Sequence, residues 1–120
     1  MNVAYDEYLA DRIRQQLDQR HQPYQEKRMM GGLCFMVDDK MCMGVSDDRL
    51  MVRADPDDYA RLLRLPGAGV MNFTGRPLKG FLFVERAGID RDEDLSGWVQ
   101  RCLDYNPKAQ RSARRQKKRP

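Results

Sequence analysis

Apolar positions at Tyr5, Leu9, Ile13 and Leu17 recur every four residues, with Asp6, Glu7, Asp11, Arg12, Arg14 and Gln15 on the other sides. This spacing predicts an amphipathic helix that ends before His21-Gln22-Pro23, since proline disfavours helix in its predecessor. From Leu33 onward the pattern changes to three short apolar runs, 33–37, 41–45 and 49–53, separated by Asp38-Asp39-Lys40 and Ser46-Asp47-Asp48. Separators of that composition and length predict an antiparallel three-strand meander. Alternation then puts Leu33, Phe35, Val37, Met41, Met43, Val45, Leu50 and Val52 on a core face. The opposite face receives Cys34, Met36, Cys42, Gly44 and Met51, bordered by Arg49 and Arg53.

Asp55-Pro56-Asp57-Asp58 reads as a helix start, with a capping aspartate, proline at the first helical position and acids near the positive end of the dipole. Tyr59, Leu62, Leu63 and Leu65 supply its buried side, and Pro66-Gly67-Ala68-Gly69 stops it. A strand is predicted over Val70 to Thr74, with Met71 and Phe73 inward, and a second over Phe81 to Val84 across a glycine-rich loop. Asp90 with Glu93 three residues later resembles a capping box. It opens a last helix whose stripe is Leu95, Trp98, Val99, Cys102 and Leu103. The order is α-β(3)-α-β(2)-α, an α+β fold built as a two-layer sandwich on an antiparallel sheet.

The 120 residues suffice for one domain, and 41% hydrophobic content supports a core. Charge divides the chain unevenly. Residues 106–120 hold Lys108, Arg111, Arg114, Arg115, Lys117, Lys118 and Arg119 and no acid, while residues 1–105 carry 15 basic against 18 acidic residues. The expected organisation is a folded domain over 1–105 and a disordered basic tail over 106–120, which offers no apolar side chains to offset ordering entropy. No apolar run reaches the roughly 18 residues needed to cross a bilayer. The acidic N-terminus lacks the basic region of a signal peptide. Three cysteines without a C-x-x-C give neither a disulfide framework nor a zinc knuckle. A cytoplasmic protein with no membrane partner is expected.

The single histidine, His21, leaves no second imidazole for histidine-based nucleophilic or multi-histidine metal sites and is expected in a surface loop. Cys34 and Cys42 share a face in the predicted register, diagonally placed; that reads as two buried inert thiols more readily than as a redox pair. The doublets Asp38-Asp39, Asp47-Asp48 and Asp57-Asp58 have turn or cap roles and give no pair of carboxylates in contrasting environments. Gly31 and Gly32 follow Lys27-Arg28, and Gly75 and Gly80 bracket Arg76 and Lys79. Either loop could cradle an anion, but neither matches a nucleotide-binding spacing, and a bulge before the first strand and a turn in the second hairpin explain the glycines more readily. No catalytic, cofactor-binding or metal-ligating residue is assigned.

Seven of the eight methionines lie between residues 29 and 71. Methionine adapts to irregular surroundings, so the face holding Cys34, Met36, Cys42 and Met51 is a candidate partner surface for a homodimer or another protein. The basic run could neutralise up to seven phosphates, giving a salt slope of roughly −6 for nonspecific nucleic-acid binding. Without interleaved aromatics it has no stacking platform. A third reading, a small-ligand site, requires the Gly31-Gly32 and Arg76–Lys79 loops to converge on a pocket.

The chain also resembles the TfoX/Sxy N-terminal domain family. The resemblance runs from about Tyr5 to Leu103 and is strongest over the Lys27 to Val37 segment KRMMGGLCFMV and the Met71 to Gly80 segment MNFTGRPLKG. Leu50-Met51-Val52-Arg53, Pro66-Gly67-Ala68 and Asp94-Leu95-Ser96-Gly97-Trp98-Val99 follow in the family's order; Met30 stands where the family usually carries phenylalanine. The resemblance implies a fold like that of secretion chaperones and no catalytic residues. It also implies kinship with bacterial regulators of natural competence, which act with the cyclic-AMP receptor protein at promoters. It therefore implies a non-enzymatic domain acting through protein contacts in transcription regulation.

Overall fold

In the computed structural model, residues 5–72, 75 and 77–110 are described. Helix α1 spans Glu7–Gln19, and the Asp6 carboxylate accepts from the Tyr8 amide at its start. Tyr5 precedes the helix and bridges to Asp47, yet it is buried with Leu9, Ala10, Ile13 and Leu17 in the core. Six strands follow: β1 Gln25–Met29, β2 Gly32–Val37, β3 Lys40–Ser46, β4 Arg49–Arg53, β5 Ala68–Val70 and β6 Phe81–Val84. They form one antiparallel sheet in the order β1-β2-β3-β4-β6-β5. The order of elements is therefore α-β(4)-α-β(2)-α, the expected α+β architecture with one more strand.

The added strand comes from the segment ahead of Gly31-Gly32. All five residues of β1 are exposed, so their polar sequence QEKRM shows no alternation. Pairing with β2 settles the matter, and Arg14 anchors the strand by donating to both carboxylate oxygens of Glu26 at 2.7 and 3.0 Å. Met30 and Gly31, both at positive φ, make the two-residue turn between the strands. The expected bulge lies elsewhere. Phe35 pairs with Met43 but Met36 pairs with Met41, which leaves Cys42 as the extra residue.

Asp55 accepts from the Asp57 amide as expected, but it starts a 3-10 turn over Pro56–Asp58, and the α-helix α2 that follows covers only Tyr59–Leu62. The strand expected over 70–74 is instead β5 at Ala68–Val70; Phe73 and Thr74 lie outside the described residues. Helix α3 spans Asp92–Tyr105 and takes Arg91 as its N-cap without a side-chain cap, so Asp90 and Glu93 do not form the capping box. Three acids in the first turn act on the dipole instead.

Arg20, closing α1, donates to Ser96 Oγ at 2.9 Å and to Gln100 at 3.2 Å, and so holds α1 beside α3. Leu9, Ile13 and Leu17 of α1, Leu62 of α2, and Leu95, Trp98, Val99 and Cys102 of α3 meet Leu33, Phe35, Val45, Leu50, Val52 and Val84 of the sheet. The helices all cover this one face. Past α3 the chain continues as a 3-10 turn over Asn106–Lys108. Lys40, buried at the end of the sheet, donates to the Asn106 carbonyl at 2.9 Å, and Arg53 donates to the Gln110 carbonyl at 3.0 Å. Folded chain thus extends past Tyr105 to Gln110, into the segment expected to be disordered.

Candidate functional site

The Cys42 bulge decides what the second sheet face contains. On β2, Cys34 and Met36 point away from the helices; on β3 Met41, paired with Met36, does so too, while Cys42 turns inward to the main core. The expected positions of Met41 and Cys42 are exchanged, and Cys34 and Cys42 lie on opposite faces. Cys34, Met36, Met41, Met51, Met71 and Phe83 form a second buried cluster, with Met30 and Phe81 packed against it. Arg49 lies 3.7 Å from the Phe83 ring centroid and Arg53 lies 5.3 Å from that of Phe81, capping the cluster with cations over aromatic faces. Cys34, Met36 and Met51 are thus covered within the chain itself.

Gly31 sits at the β1–β2 turn, where its carbonyl accepts from Ser46 Oγ at 3.4 Å, and Gly32 is buried beside it. Gly80 lies at the other end of β4, where its carbonyl accepts from the Ala54 amide at 2.8 Å, and Lys79 is exposed next to it. Arg76 is outside the described residues. The two loops occupy opposite ends of the sheet, so the described residues form no shared pocket between them. His21 is exposed in the turn after α1. Among the described residues no group of three or more His, Cys, Asp or Glu is placed to hold a metal ion. No helix among them is long and apolar enough to cross a membrane. Of the basic run, Lys108 is exposed with Nζ 3.9 Å from Asp55; Arg111, Arg114, Arg115, Lys117, Lys118 and Arg119 lie outside the described residues.

All three thiols are buried. Burial pushes Cys34 up to about 11 and Cys42 up to about 12, the latter against a small opposing pull from Arg53, and it holds Cys102 well above its usual value. They stay protonated at neutral pH and are poor nucleophiles. The unfolded chain ionises its thiols near the ordinary value of 9.0. It therefore sheds protons before the folded chain does, and stability falls as pH rises from about 9 towards the folded values. Urea denaturation at about pH 8 and about pH 10 should show this loss, and Cys42→Ala should shrink it. Equal pH dependence in the variant would remove Cys42 as a source.

The arrangement best suited to binding lies along α3 and comes from its own periodicity. Asp94, Gly97, Trp98, Arg101, Tyr105 and Lys108 recur at helical spacing on the side facing the α2–β5 connection. Across from them stand Leu62, Leu65, Pro66 and Ala87. Two concavities follow in series, of about 200 Å³ and about 190 Å³, with Arg101 lining both. The Arg101 guanidinium lies 4.9 Å from the Trp98 ring. The first concavity has an apolar floor of Leu65, Pro66 and Trp98 with Glu93 and Asp94 at its rim; the second is rimmed by Asp55, Asp58 and Asp104. Each is smaller than a typical cofactor site of roughly 300–1,000 Å³, and a row of two fits successive side chains of a peptide segment. A wider, more open depression of about 530 Å³ lies at the β1 end among Tyr24, Met36, Asp38 and Asp39.

Gly97 lines the first concavity and puts no side chain into it. A glycine within a helix costs about 0.5–1 kcal/mol relative to alanine. A Cβ there would meet only the flexible end of Arg101, at 3.6 Å, so packing does not demand glycine. A local rule broken without structural need marks a place where open space is useful. In the sequence the sole signal was this glycine inside a helical stripe.

A family model for the TfoX N-terminal domain matches residues 15–105. No curated protein and no solved structure matches the chain. The match begins within α1, takes in every strand and ends at the last residue of α3, and the chain belongs to the TfoX N-terminal domain family.

Proposed function

We propose that this protein is a non-enzymatic interaction domain of the TfoX/Sxy type, acting in the cytoplasm through protein contacts that bear on transcription, and that the α3 groove receives a segment of its partner. The observation that carries this reading is Gly97, which leaves the groove open at a cost in helix stability that packing does not require. The elevated thiols support it as well, since the cysteines are engaged in packing and not in chemistry.

Gly97→Ala should raise stability by about 0.5–1 kcal/mol, read by urea denaturation. Gly97→Gln should keep the fold, by circular dichroism, while its side chain fills the first concavity. The decisive comparison uses a photo-crosslinking side chain at the exposed rim residue Ala87 in cells. A protein adduct of defined mass should form and should vanish when Gly97→Gln is added. Absence of any adduct, or the same adduct in both proteins, would refute the groove as a docking site.

A further inference from the structure

We infer that the free edge of β1 is a docking site for an extended acidic segment of a partner protein, which joins the sheet as a seventh, antiparallel strand. This edge lies at the end of the strand order opposite β5, away from the α3 groove, and the inference is independent of the groove reading. Backbone geometry is the first support. Met30 and Gly31 form a two-residue turn, so Met29 and Gly32 close it as a hydrogen-bonded pair. Hydrogen-bonded pairs alternate along an antiparallel ladder; Lys27 with Cys34 and Gln25 with Met36 are therefore the next ones, and the amides and carbonyls of Glu26 and Arg28 turn outward. No described strand lies beyond β1, and its register with β2 runs without a bulge, so both residues can exchange hydrogen bonds with an incoming strand. The other edge offers less. Strand β5 has three residues, and the Ala68 amide already donates to the Leu65 carbonyl at 3.1 Å.

Charge names the occupant. Arg14 holds both oxygens of the Glu26 carboxylate, at 2.7 and 3.0 Å, which leaves Lys27 and Arg28 as exposed cations with no acidic partner among the described residues. The Arg28 guanidinium lies 5.8 Å from the Tyr5 ring centroid. Arg28 stands on the helix face of the sheet, paired with Leu33, and Lys27 stands on the other face, paired with Cys34. An antiparallel strand sets consecutive residues across from Met29, Arg28, Lys27 and Glu26. The matching order is an apolar residue, two acids and a neutral one, with Met29, 37% exposed, supplying the apolar contact. The same two cations repel basic strands, so the edge discriminates among the strands that reach it.

The probe is a capped peptide, Thr-Val-Asp-Glu-Thr-Val-Thr, titrated into the full chain labelled with nitrogen-15. In the free protein the amides of Glu26 and Arg28 should exchange with solvent faster than those of Lys27 and Met29. The peptide should shift their resonances and slow both exchanges about tenfold or more at saturation, and added salt should weaken its binding. N-methylation of the peptide's Asp and second Thr, whose amides face β1, should abolish binding; N-methylation of its Glu, whose amide faces away, should leave it intact. The double variant Lys27→Glu, Arg28→Glu should bind about tenfold more weakly and should take instead the peptide with Lys-Lys in place of Asp-Glu, a rescue that a misfolded chain does not give. Unchanged exchange at Glu26 and Arg28, equal binding of the Lys-Lys peptide by the native chain, or tolerance of every methyl group would overturn the inference. So would slow exchange at those two amides in the free chain: if it grows with protein concentration the edge belongs to a second copy, and if it holds at every concentration the edge belongs to the chain's own residues.

Discussion

Gly32→Ala is expected to destabilise the domain by about 3 kcal/mol or more, enough to remove much of a typical domain's stability. A Cβ at this position would sit 1.9 Å from the Val45 carbonyl oxygen, 2.9 Å from its carbon and 3.0 Å from the Ser46 Cα. All three atoms are backbone of β3, and none can rotate away as a side-chain tip would. Relief requires separating β2 from β3 in the middle of the sheet, where Leu33 pairs with Val45 and Cys34 with Gly44. Gly31→Ala provides the contrast. Nothing lies within 4 Å of its Cβ position, so only the positive φ of 74° penalises it, at about 1 kcal/mol. Urea denaturation of the two variants separates a close-approach role from a turn role. Equal, small losses would mean that the sheet yields at this point and that Gly32 does not set the strand spacing.

The same glycine shows why part of the fold was legible and part was not. The apolar runs over 33–53 gave three strands because each is buried on both faces, against the helices on one side and the methionine-rich cluster on the other, which writes short continuous apolar stretches bounded by turn residues into the sequence. Strand β1 left no such trace, being exposed throughout, and its identity comes from hairpin pairing with the neighbouring strand β2. The bulge at Cys42 is similarly silent. Nothing local distinguishes Met41-Cys42-Met43 with a bulge from the same residues without one, and the shift of register exchanges the faces of Met41 and Cys42. The aspartate at 90 and glutamate at 93 had the spacing of a capping box, but the chain enters α3 through Arg91 after the 3-10 turn Arg86–Gly88, one residue later than that box requires.

The groove was harder to read than the fold, for a related reason. Its two walls are separated by some thirty residues of chain, and each wall has an explanation of its own: Leu62 and Leu65 as core, Asp55 and Asp58 as cap and first turn, Trp98 as the centre of a helical stripe. Only Gly97 lacked an obligatory role. The methionine-rich face attracted notice because its residue types suit a partner, yet those residue types equally suit a small irregular core.

Met51→Ala should lower stability by about 2–4 kcal/mol, with a fall in the melting temperature of roughly 4 °C for each kcal/mol. Met51 is fully buried on the face away from the helices, and it lies over Gly44: its Cε is 2.8 Å from where a Cβ on that residue would stand. Arg49 and Arg53 flank it on the same strand and face, held over Phe83 and Phe81, so the surroundings are braced and collapse poorly into the space that truncation leaves. The form of the loss distinguishes two origins of this burial. A core completed within one chain gives a transition that is independent of protein concentration, with an unchanged molecular mass by sedimentation. A face completed by a partner copy gives a wild-type transition that rises with concentration and a variant of lower mass. The intrachain packing of Met71, Phe83 and the two arginines requires the first result, and a concentration-dependent transition would return this face to the role of an interface.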